Sequence, residues 1–271
     1  MQNIDQATVD GFGKEWSAFD QSALSPQEAE QMFWRYFRIF DFTELGEGFD
    51  LGCGSGRWAR FVAPRAKRLH CIDPSDAIEV AKRNLGDHKN VTFHRASADS
   101  IPLADGSQNF GYCLGVLHHI PDPDSALTQC VRKLKPGGQF LVYMYYRFDN
   151  RPSWFRALWK MSDAGRRVIC RLPFPARKSV AALIAAGVYW PLARFSKLVE
   201  NIGRDPSSLP LSLYRSLSFY TMRTDALDRF GTKLEQRFTR QEIQSMMERS
   251  GLGQVRFSDH APYWVAVGYR R

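Results

Sequence analysis

The sequence predicts an α/β fold built on a parallel, doubly wound sheet, and two observations support this prediction. Between residues 46 and 146, short apolar segments that suit buried strands alternate with segments that suit helices, as in strands joined by crossover helices. Within this part, residues 49–58 read as a strand end, a glycine turn and a helix start. Ligands of such sheets bind beyond the carboxyl ends of the strands, so this turn is the first candidate for a binding site.

The other elements follow from local patterns. The predicted strands are 49–51, 68–73, 91–94, 110–117, 139–145, 254–258 and 263–269. The predicted helices begin at 26 and 57 and cover 76–85, 125–134 and 241–249. Lys-Pro-Gly-Gly at 135–138 is expected to stop a helix and turn the chain. Residues 12–16 are expected to start an aromatic-rich loop. The aromatic helix from residue 26 either covers the sheet or caps the ligand site, with Phe12 and Trp16 near the pocket.

The net charge of +9 is confined to one segment. Residues 147–204 contain twelve Lys or Arg and three Asp or Glu, so they account for the whole excess. The strand–helix rhythm also breaks here, and prolines become frequent. The chain is therefore predicted to have four segments, which are an N-terminal helical cap (1–45), a core (46–146), a basic helical insert or lid (147–222) and a C-terminal part of the core (223–271).

Several classes of protein are disfavoured. Five cysteines without regular spacing argue against a disulfide framework and against a zinc site, and no metal is expected. The first residues lack the basic and apolar regions of a signal peptide. The apolar run 180–193 is shorter than the roughly 20 residues of a spanning helix and contains Pro191. We expect a cytoplasmic protein, with peripheral membrane contact as an open option.

Two acidic residues stand at predicted strand ends beside the glycine turn. Asp50 directly precedes the turn, and Asp73 ends the second strand. A carboxylate at the second position can accept both hydroxyls of a ribose, although Asp73 could instead cap the next helix. A dinucleotide-binding G-x-G-x-x-G turn would need glycine where Arg57 stands. That difference makes an NAD-type oxidoreductase the weaker alternative.

Four motifs in order, within residues 46–146, resemble the class I S-adenosylmethionine (SAM)-dependent methyltransferases, in particular the type-11 group that contains quinone- and biotin-type enzymes. They are D-x-G-x-G-x-G at 50–56, Asp99 with the following Ile-Pro-Leu, Leu-His-His-Ile-Pro-Asp at 117–122 and Lys-Pro-Gly-Gly at 135–138. The resemblance implies a Rossmann-like, seven-stranded, mainly parallel sheet with SAM as cofactor. The cofactor contacts that it implies are Asp50, Gly52, Gly54, Gly56, Asp73, Asp99 and Leu114, with Asp99 accepting from the adenine amino group.

His118 and His119 are the candidate catalytic residues. Imidazole titrates near neutrality, and a base assists transfer to a hydroxyl by taking its proton. Both residues could equally serve packing, and we slightly prefer His119. The Asn/Asp-Pro-Pro-Tyr/Phe motif of amide- and base-N-methylating enzymes is absent after the fourth predicted strand, which disfavours nucleic acid as acceptor. The expected function is methyl transfer to a small-molecule or lipid-linked acceptor, at oxygen.

The basic insert leaves alternatives open. Its apolar side can pack on the sheet while Lys and Arg stems reach water, as in a plain lid. Helices with basic residues and tryptophan also suit an anionic membrane surface, and a basic cluster suits an acidic, lipid-linked substrate. No nucleic-acid-binding motif is present. The whole chain could also be a catalytically silent SAM-fold subunit that binds a membrane or a partner enzyme.

Overall fold

The computed structural model describes residues 3–271, which form two compact units. The sheet unit contains residues 3–21, 30–149 and 234–271, and the helical unit contains residues 22–29 and 150–233. The boundaries of these two units differ from the boundaries of the four predicted segments. A cap and a lid, as functional segments, remain predictions.

A seven-stranded sheet organises the sheet unit. Its strands are β1 Glu47–Leu51, β2 Arg68–Ile72, β3 Val91–His94, β4 Gln108–Leu114, β5 Leu134–Tyr143, β6 Leu252–Phe257 and β7 Val265–Arg270. They lie in the order β3-β2-β1-β4-β5-β7-β6. The first five pair in parallel, and β7 runs antiparallel to β5 and β6. This confirms the predicted seven-stranded, mainly parallel sheet, and the strand order reverses between β1 and β4, where ligands of such sheets bind.

Ten α-helices accompany the sheet in the described chain. Those that begin outside residues 150–233 are α1 Gln6–Ala18, α2 Pro26–Phe37, α3 Ala59–Val62, α4 Ala77–Leu85, α5 Pro123–Lys133 and α10 Arg240–Arg249. Those of residues 150–233 are α6 Ser153–Ile169, α7 Phe174–Ile184, α8 Trp190–Asn201 and α9 Phe219–Gly231. The helix that begins at Pro26 is thus confirmed, and Phe33 and Phe37 of α2 lie fully buried in a core cluster with strand residues. This part of α2 covers the sheet.

One local prediction is wrong, and another holds only in part. Residues 12–16 do not start a loop but lie inside α1, which begins after the capping side chain of Asp5. A Cβ at position 13 would lie 3.4 Å from the backbone nitrogen of Asp76, close to an ordinary contact, so α1 packs beside the start of α4 at this point. As predicted, a helix ends just before residues 135–138, since α5 ends at Lys133, but these residues belong to β5, where the pairing register with β4 shifts after Gln108. The irregular strand pairing accommodates the proline and glycines that suggested a turn.

The apolar core lies on both faces of the sheet. One cluster joins Phe49, Phe140 and Val142 to residues of α5 and α10, and the other joins Phe110 and Tyr112 to α2 and α4. Burying an aromatic side chain of this size contributes about 2–3 kcal/mol. The sheet unit is therefore held together by conventional apolar packing, which fixes the strand ends that carry the candidate site.

The helical unit has a different interior. Helix α7, a π-helical turn at Ala185–Tyr189 and α8 form one continuous helix, Phe174–Asn201, which continues through Pro191. Its buried side is formed largely of small residues at four-residue spacing, such as Ala181, Ala185 and Ala193. This helix has 28 residues and a mean hydropathy of 1.2 in its most apolar window. By length and composition alone, it could cross a membrane.

Candidate active site

The glycine turn lies directly after β1, at the reversal of strand order. The backbone φ angles of Gly52, Gly54 and Gly56 are +74°, +53° and +77°, which side chains with a Cβ rarely adopt. A Cβ at Gly54 would lie 3.0 Å from the indole Nε1 of Trp16 in α1. The turn is therefore shaped by its backbone and lies against α1.

Asp73 joins the glycine turn to the loop after β2. Its Oδ2 accepts a hydrogen bond from the Gly54 amide at 2.9 Å, and its Oδ1 accepts from the amide and hydroxyl of Ser75 at 2.9 and 2.6 Å. Burial raises the pKa of Asp73, although these hydrogen bonds from Ser75 and Gly54 oppose the shift. The helix-capping alternative is realised by Ser75, whose hydroxyl accepts from Ala77. The carboxylate of Asp73 thus lies beside the glycine turn at the end of β2, and its contact with a ribose stays a prediction.

Asp50 is buried on β1 between Cys71 of β2 and Tyr112 of β4. Burial raises the pKa of Asp50 well above its usual range, the Tyr112 side chain opposes this, and the charge of Asp73 adds to it. Its Oδ2 has no hydrogen-bond partner among residues 3–271. A buried polar atom without a partner is uncommon and points to a missing donor. Leu114, at the carboxyl end of β4, is also buried.

Asn3 connects two of the predicted loops. Its backbone amide donates to Oδ2 of Asp99. Its side chain donates to the carbonyl of Asp122 at 2.6 Å and accepts from the amide of the same residue at 2.7 Å. Asp99 is exposed on a short 3-10 turn after β3. The N-terminal segment therefore lies against the two loops that follow β3 and β4.

Helix α1 brings the two aromatic residues of the N-terminal segment to the same strand ends. Trp16 faces Gly54, and the Phe12 ring lies 5.0 Å from that of His119. One helix thus reaches from the glycine turn to the histidine pair. These two aromatic side chains therefore lie over the strand ends that carry the predicted site.

His118 is fixed in one tautomer. Its Nδ1 accepts from the Tyr145 amide at 3.3 Å, so the ring proton of the neutral imidazole is on Nε2. The ring is fully buried and stacks on Tyr145 at 3.9 Å. Burial, together with the charges of His119 and Arg237, lowers the pKa of His118 well below its usual value. The lone pair of this neutral imidazole is therefore already engaged by the Tyr145 amide.

His119 has the opposite arrangement. Its Nδ1 lies 2.7 Å from the carbonyl oxygen of Leu234, and because a carbonyl only accepts, Nδ1 carries the proton. The basic lone pair of the neutral ring is then on Nε2. This geometry distinguishes the two histidines, which the sequence alone does not.

The segment 234–238 contributes residues that sequence reasoning missed. The amide of Gln236 donates to the carbonyl of His118 at 2.9 Å, and that of Phe238 donates to the carbonyl of Tyr145 at 2.9 Å. Arg237 pairs with Glu235 at 2.8 Å and lies over the Tyr145 ring. No motif marks this segment, because its role depends on tertiary pairing with residues 93 to 118 positions earlier.

These residues fit SAM on two observations. Asp50 presents a buried oxygen that lacks a donor, and the carboxylate of Asp73 lies at the glycine turn, where it accepts from the Gly54 amide at 2.9 Å. Within residues 3–271, no group of three or more His, Cys, Asp or Glu is placed to hold a metal ion.

Comparison with known proteins addresses the same region. Residues 49–142 match the family model described as a methyltransferase domain. This segment is similar to a methyltransferase domain, as the four motifs suggested, and the match supports SAM as its cofactor. It contains the glycine turn, the three acidic residues and both histidines.

The relatives and solved structures agree with this result. A ubiquinone biosynthesis O-methyltransferase of Aromatoleum aromaticum is 33% identical over 93 residues, which are 33% of this chain and 40% of that protein. The chain thus aligns with less than half of the length of this curated relative. A SAM-dependent methyltransferase of Thermotoga maritima superposes with a TM-score of 0.53 at 16% identity, covering 96% of this chain and 99% of that one. The fold is that of class I methyltransferases.

A third comparison involves a structure that contains S-adenosylhomocysteine, the compound that remains when SAM has lost its methyl group. The phosphoethanolamine N-methyltransferase 2 of Haemonchus contortus, in complex with S-adenosylhomocysteine, has a TM-score of 0.51 at 18% identity. The match covers 93% of this chain and 43% of that one. At this identity the likeness concerns the fold.

Proposed function

We propose that this chain transfers a methyl group from SAM to an oxygen atom of a small-molecule or lipid-linked acceptor. The observation that carries the proposal is the glycine turn held by Asp73 at the reversal of strand order, inside a segment that matches a methyltransferase domain. The name of the O-methyltransferase relatives supports oxygen as the methylated atom. The catalytically silent alternative is not favoured, because the turn and its acidic residues are intact.

The proposed cofactor contacts follow from the site. Asp73 would accept from the ribose hydroxyls, since its remaining lone pairs lie beside the turn amides. Asp50 would accept a donor of the cofactor at its buried Oδ2. Asp99 would accept from the adenine amino group with the oxygen that now accepts from Asn3, and Leu114 would contact the cofactor at the end of β4.

The chain's own contribution to catalysis is orientation, exclusion of water and removal of one proton. When bound, SAM supplies an electrophilic methyl group on a sulfonium. Holding acceptor, methyl carbon and sulfur in line accounts for most of the acceleration in such a reaction. Helix α1 provides the cover over the strand ends. We assign the base to Nε2 of His119, with Leu234 fixing the tautomer, and a positioning role to His118.

The setting of the reaction is also part of the proposal. We place the protein in the cytoplasm, with peripheral membrane contact through residues 147–204, whose charge supports this contact. A nucleic-acid acceptor is not favoured.

Calorimetry with SAM and S-adenosylhomocysteine tests the cofactor site. Asp73→Ala should weaken binding about 100-fold, as expected for the loss of charge-assisted hydrogen bonds. Asp87→Ala, an exposed aspartate after α4, is the matched control and should bind normally. Asp73→Asn is tested in the same way, and the thermal unfolding of each variant is measured. Together these results distinguish the loss of cofactor contacts from the loss of the glycine turn. Failure of the wild type to bind either compound would end the proposal.

Turnover tests the assignment of the base. With labelled SAM and a panel of phenols and catechols, His119→Gln should reduce the maximal rate about 100-fold or more while cofactor affinity remains. His118→Gln should act mainly through stability. Cofactor binding without turnover on any acceptor would favour the silent subunit instead.

A further inference from the structure

Large apolar side chains exposed to solvent are concentrated in the helical unit. Of thirteen in the described chain, Trp34 alone lies in the sheet unit. The other twelve are Trp154, Leu158, Met161, Val168, Leu172, Leu183, Val188, Trp190, Phe195, Leu198, Ile202 and Phe219. Isolated exposed apolar residues are normal, but a group of them indicates an interaction surface.

Helix α6 divides into three sides. Its buried side includes Asp163 and Arg166. An apolar stripe at spacings that share one helix face consists of Trp154, Leu158, Met161 and Val168. A basic stripe, also exposed, consists of Arg156, Lys160 and Arg167. Both stripes face solvent, so α6 presents apolar and cationic groups together.

The exposed charge of the helical unit has one dominant sign. In residues 150–233 the exposed basic residues are Arg156, Lys160, Arg167, Arg171, Arg204 and Lys233. Among the same residues, which are all described, Asp205 is the one exposed acid. The surface is therefore complementary to an anionic partner, and its exposed tryptophan and basic residues are those of helices that lie in a membrane interface.

We infer that α6 docks in the plane of an anionic bilayer, with its apolar stripe in the interface and its basic stripe on the lipid head groups. The longer helix 174–201 is the weaker candidate, because residues 179–193 carry no charge. Its small buried residues also pack it into the helical unit, which argues against its spanning the bilayer. This inference deepens the peripheral membrane contact proposed above and is independent of methyl transfer.

Co-sedimentation of the full chain with vesicles tests this inference. The vesicles are phosphatidylcholine alone or phosphatidylcholine with phosphatidylglycerol, at low salt and without SAM. Wild type should bind only the anionic vesicles. Arg156→Gln/Lys160→Gln should bind about 25-fold more weakly, since each basic residue near the surface contributes about fivefold. Leu158→Gln/Met161→Gln should bind about tenfold more weakly.

Two matched controls make the test specific to α6. Arg83→Gln/Lys89→Gln removes two exposed charges from the sheet unit and should bind like wild type. Leu183→Gln/Phe195→Gln removes two exposed apolar residues from helix 174–201 and should also bind like wild type. Arg166 is unsuitable for such a test because it is buried against Asp163. Circular dichroism verifies that each variant is folded.

The outcomes are distinguishable. Wild type that binds no vesicles overturns both this inference and the membrane contact proposed above, and leaves methyl transfer untouched. Binding that depends on Leu183 and Phe195 but not on Leu158 and Met161 overturns the assignment to α6 alone. Protein that resists extraction by carbonate spans the bilayer, which contradicts in-plane docking. Self-association that is lost in Leu158→Gln/Met161→Gln, without vesicle binding, would show an interface between copies instead.

Discussion

The two units of this chain are stabilised by different interactions. Both apolar core clusters of the described residues lie in the sheet unit. The helical unit buries the ion pair of Asp163 and Arg166 beside apolar residues such as Met222 and Phe230, and it exposes twelve of its large apolar side chains. The comparison shows that the sheet unit carries both core clusters, whereas twelve of the thirteen exposed large apolar side chains among the described residues lie in the helical unit.

The largest effect should come from one aromatic residue of the sheet unit. Phe140 is fully buried on β5, and Phe140→Ala should reduce the free energy of unfolding by about 3–5 kcal/mol through lost burial and a cavity. The same change at Phe195, which is 53% exposed on α8, should cost less than about 1 kcal/mol. Urea unfolding of both variants measures the difference. Similar losses would mean that Phe195 is covered in solution.

A charged residue should be the corresponding weak point of the helical unit. Arg166 donates to Asp163 at 2.7 Å and to the carbonyls of Thr232 and Lys233 at 2.8 and 3.1 Å. Arg166→Met leaves these buried acceptors without their donor and should cost about 3 kcal/mol. Arg167→Met is the control, since the Arg167 side chain is 71% exposed and bonds to the same carboxylate at 3.0 Å. It should cost at most about 1 kcal/mol.

The same pair predicts a pH dependence. Burial acts to raise the pKa of Asp163, but the hydrogen bond and charge of Arg166, then those of Arg229 and Arg167, lower it overall. A lowered pKa contributes stability that is present above about pH 4 and lost as the pH falls through the folded value. Arg166→Met should therefore flatten the acid limb of the unfolding curve. An unchanged acid limb would show that Arg229 and Arg167 suffice.

What could be predicted from the sequence depends on whether the signal is local. Strands and the glycine turn of the sheet unit were predicted because burial periodicity and turn chemistry are local signals. Helix α1 was missed because Gly11 and Gly13 lower its helix propensity, and its role depends on packing against Asp76 and Gly54. Leu234 and Asn3 carried no signal, since each contributes through backbone groups or pairings distant in sequence. The functional roles of the cofactor residues remain predictions.

The smallest predicted effect is the loss of a helix N-cap, and it should be the same in both units. In the sheet unit, Thr239 caps α10 by accepting from the amide of Glu242 at 3.2 Å, and in the helical unit Ser218 caps α9 by accepting from that of Thr221 at 3.3 Å. Each change to alanine removes one local acceptor and should cost about 1 kcal/mol. Because a cap acts only on its own first turn, both units should respond alike in thermal unfolding.

Ser218 provides the sharper of these two measurements. Its hydroxyl also donates to Glu28 at 3.1 Å, but Glu28 keeps the Ser218 amide and the Thr221 hydroxyl as donors at 2.9 and 2.6 Å. Ser218→Ala therefore removes one of three donors from that carboxylate, and the remaining two should hold it. If Ser218→Ala costs several kcal/mol while Thr239→Ala costs about one, the polar network around Glu28 depends on all its members. The helical unit would then owe its stability to hydrogen bonds at its surface as well as to the buried ion pair.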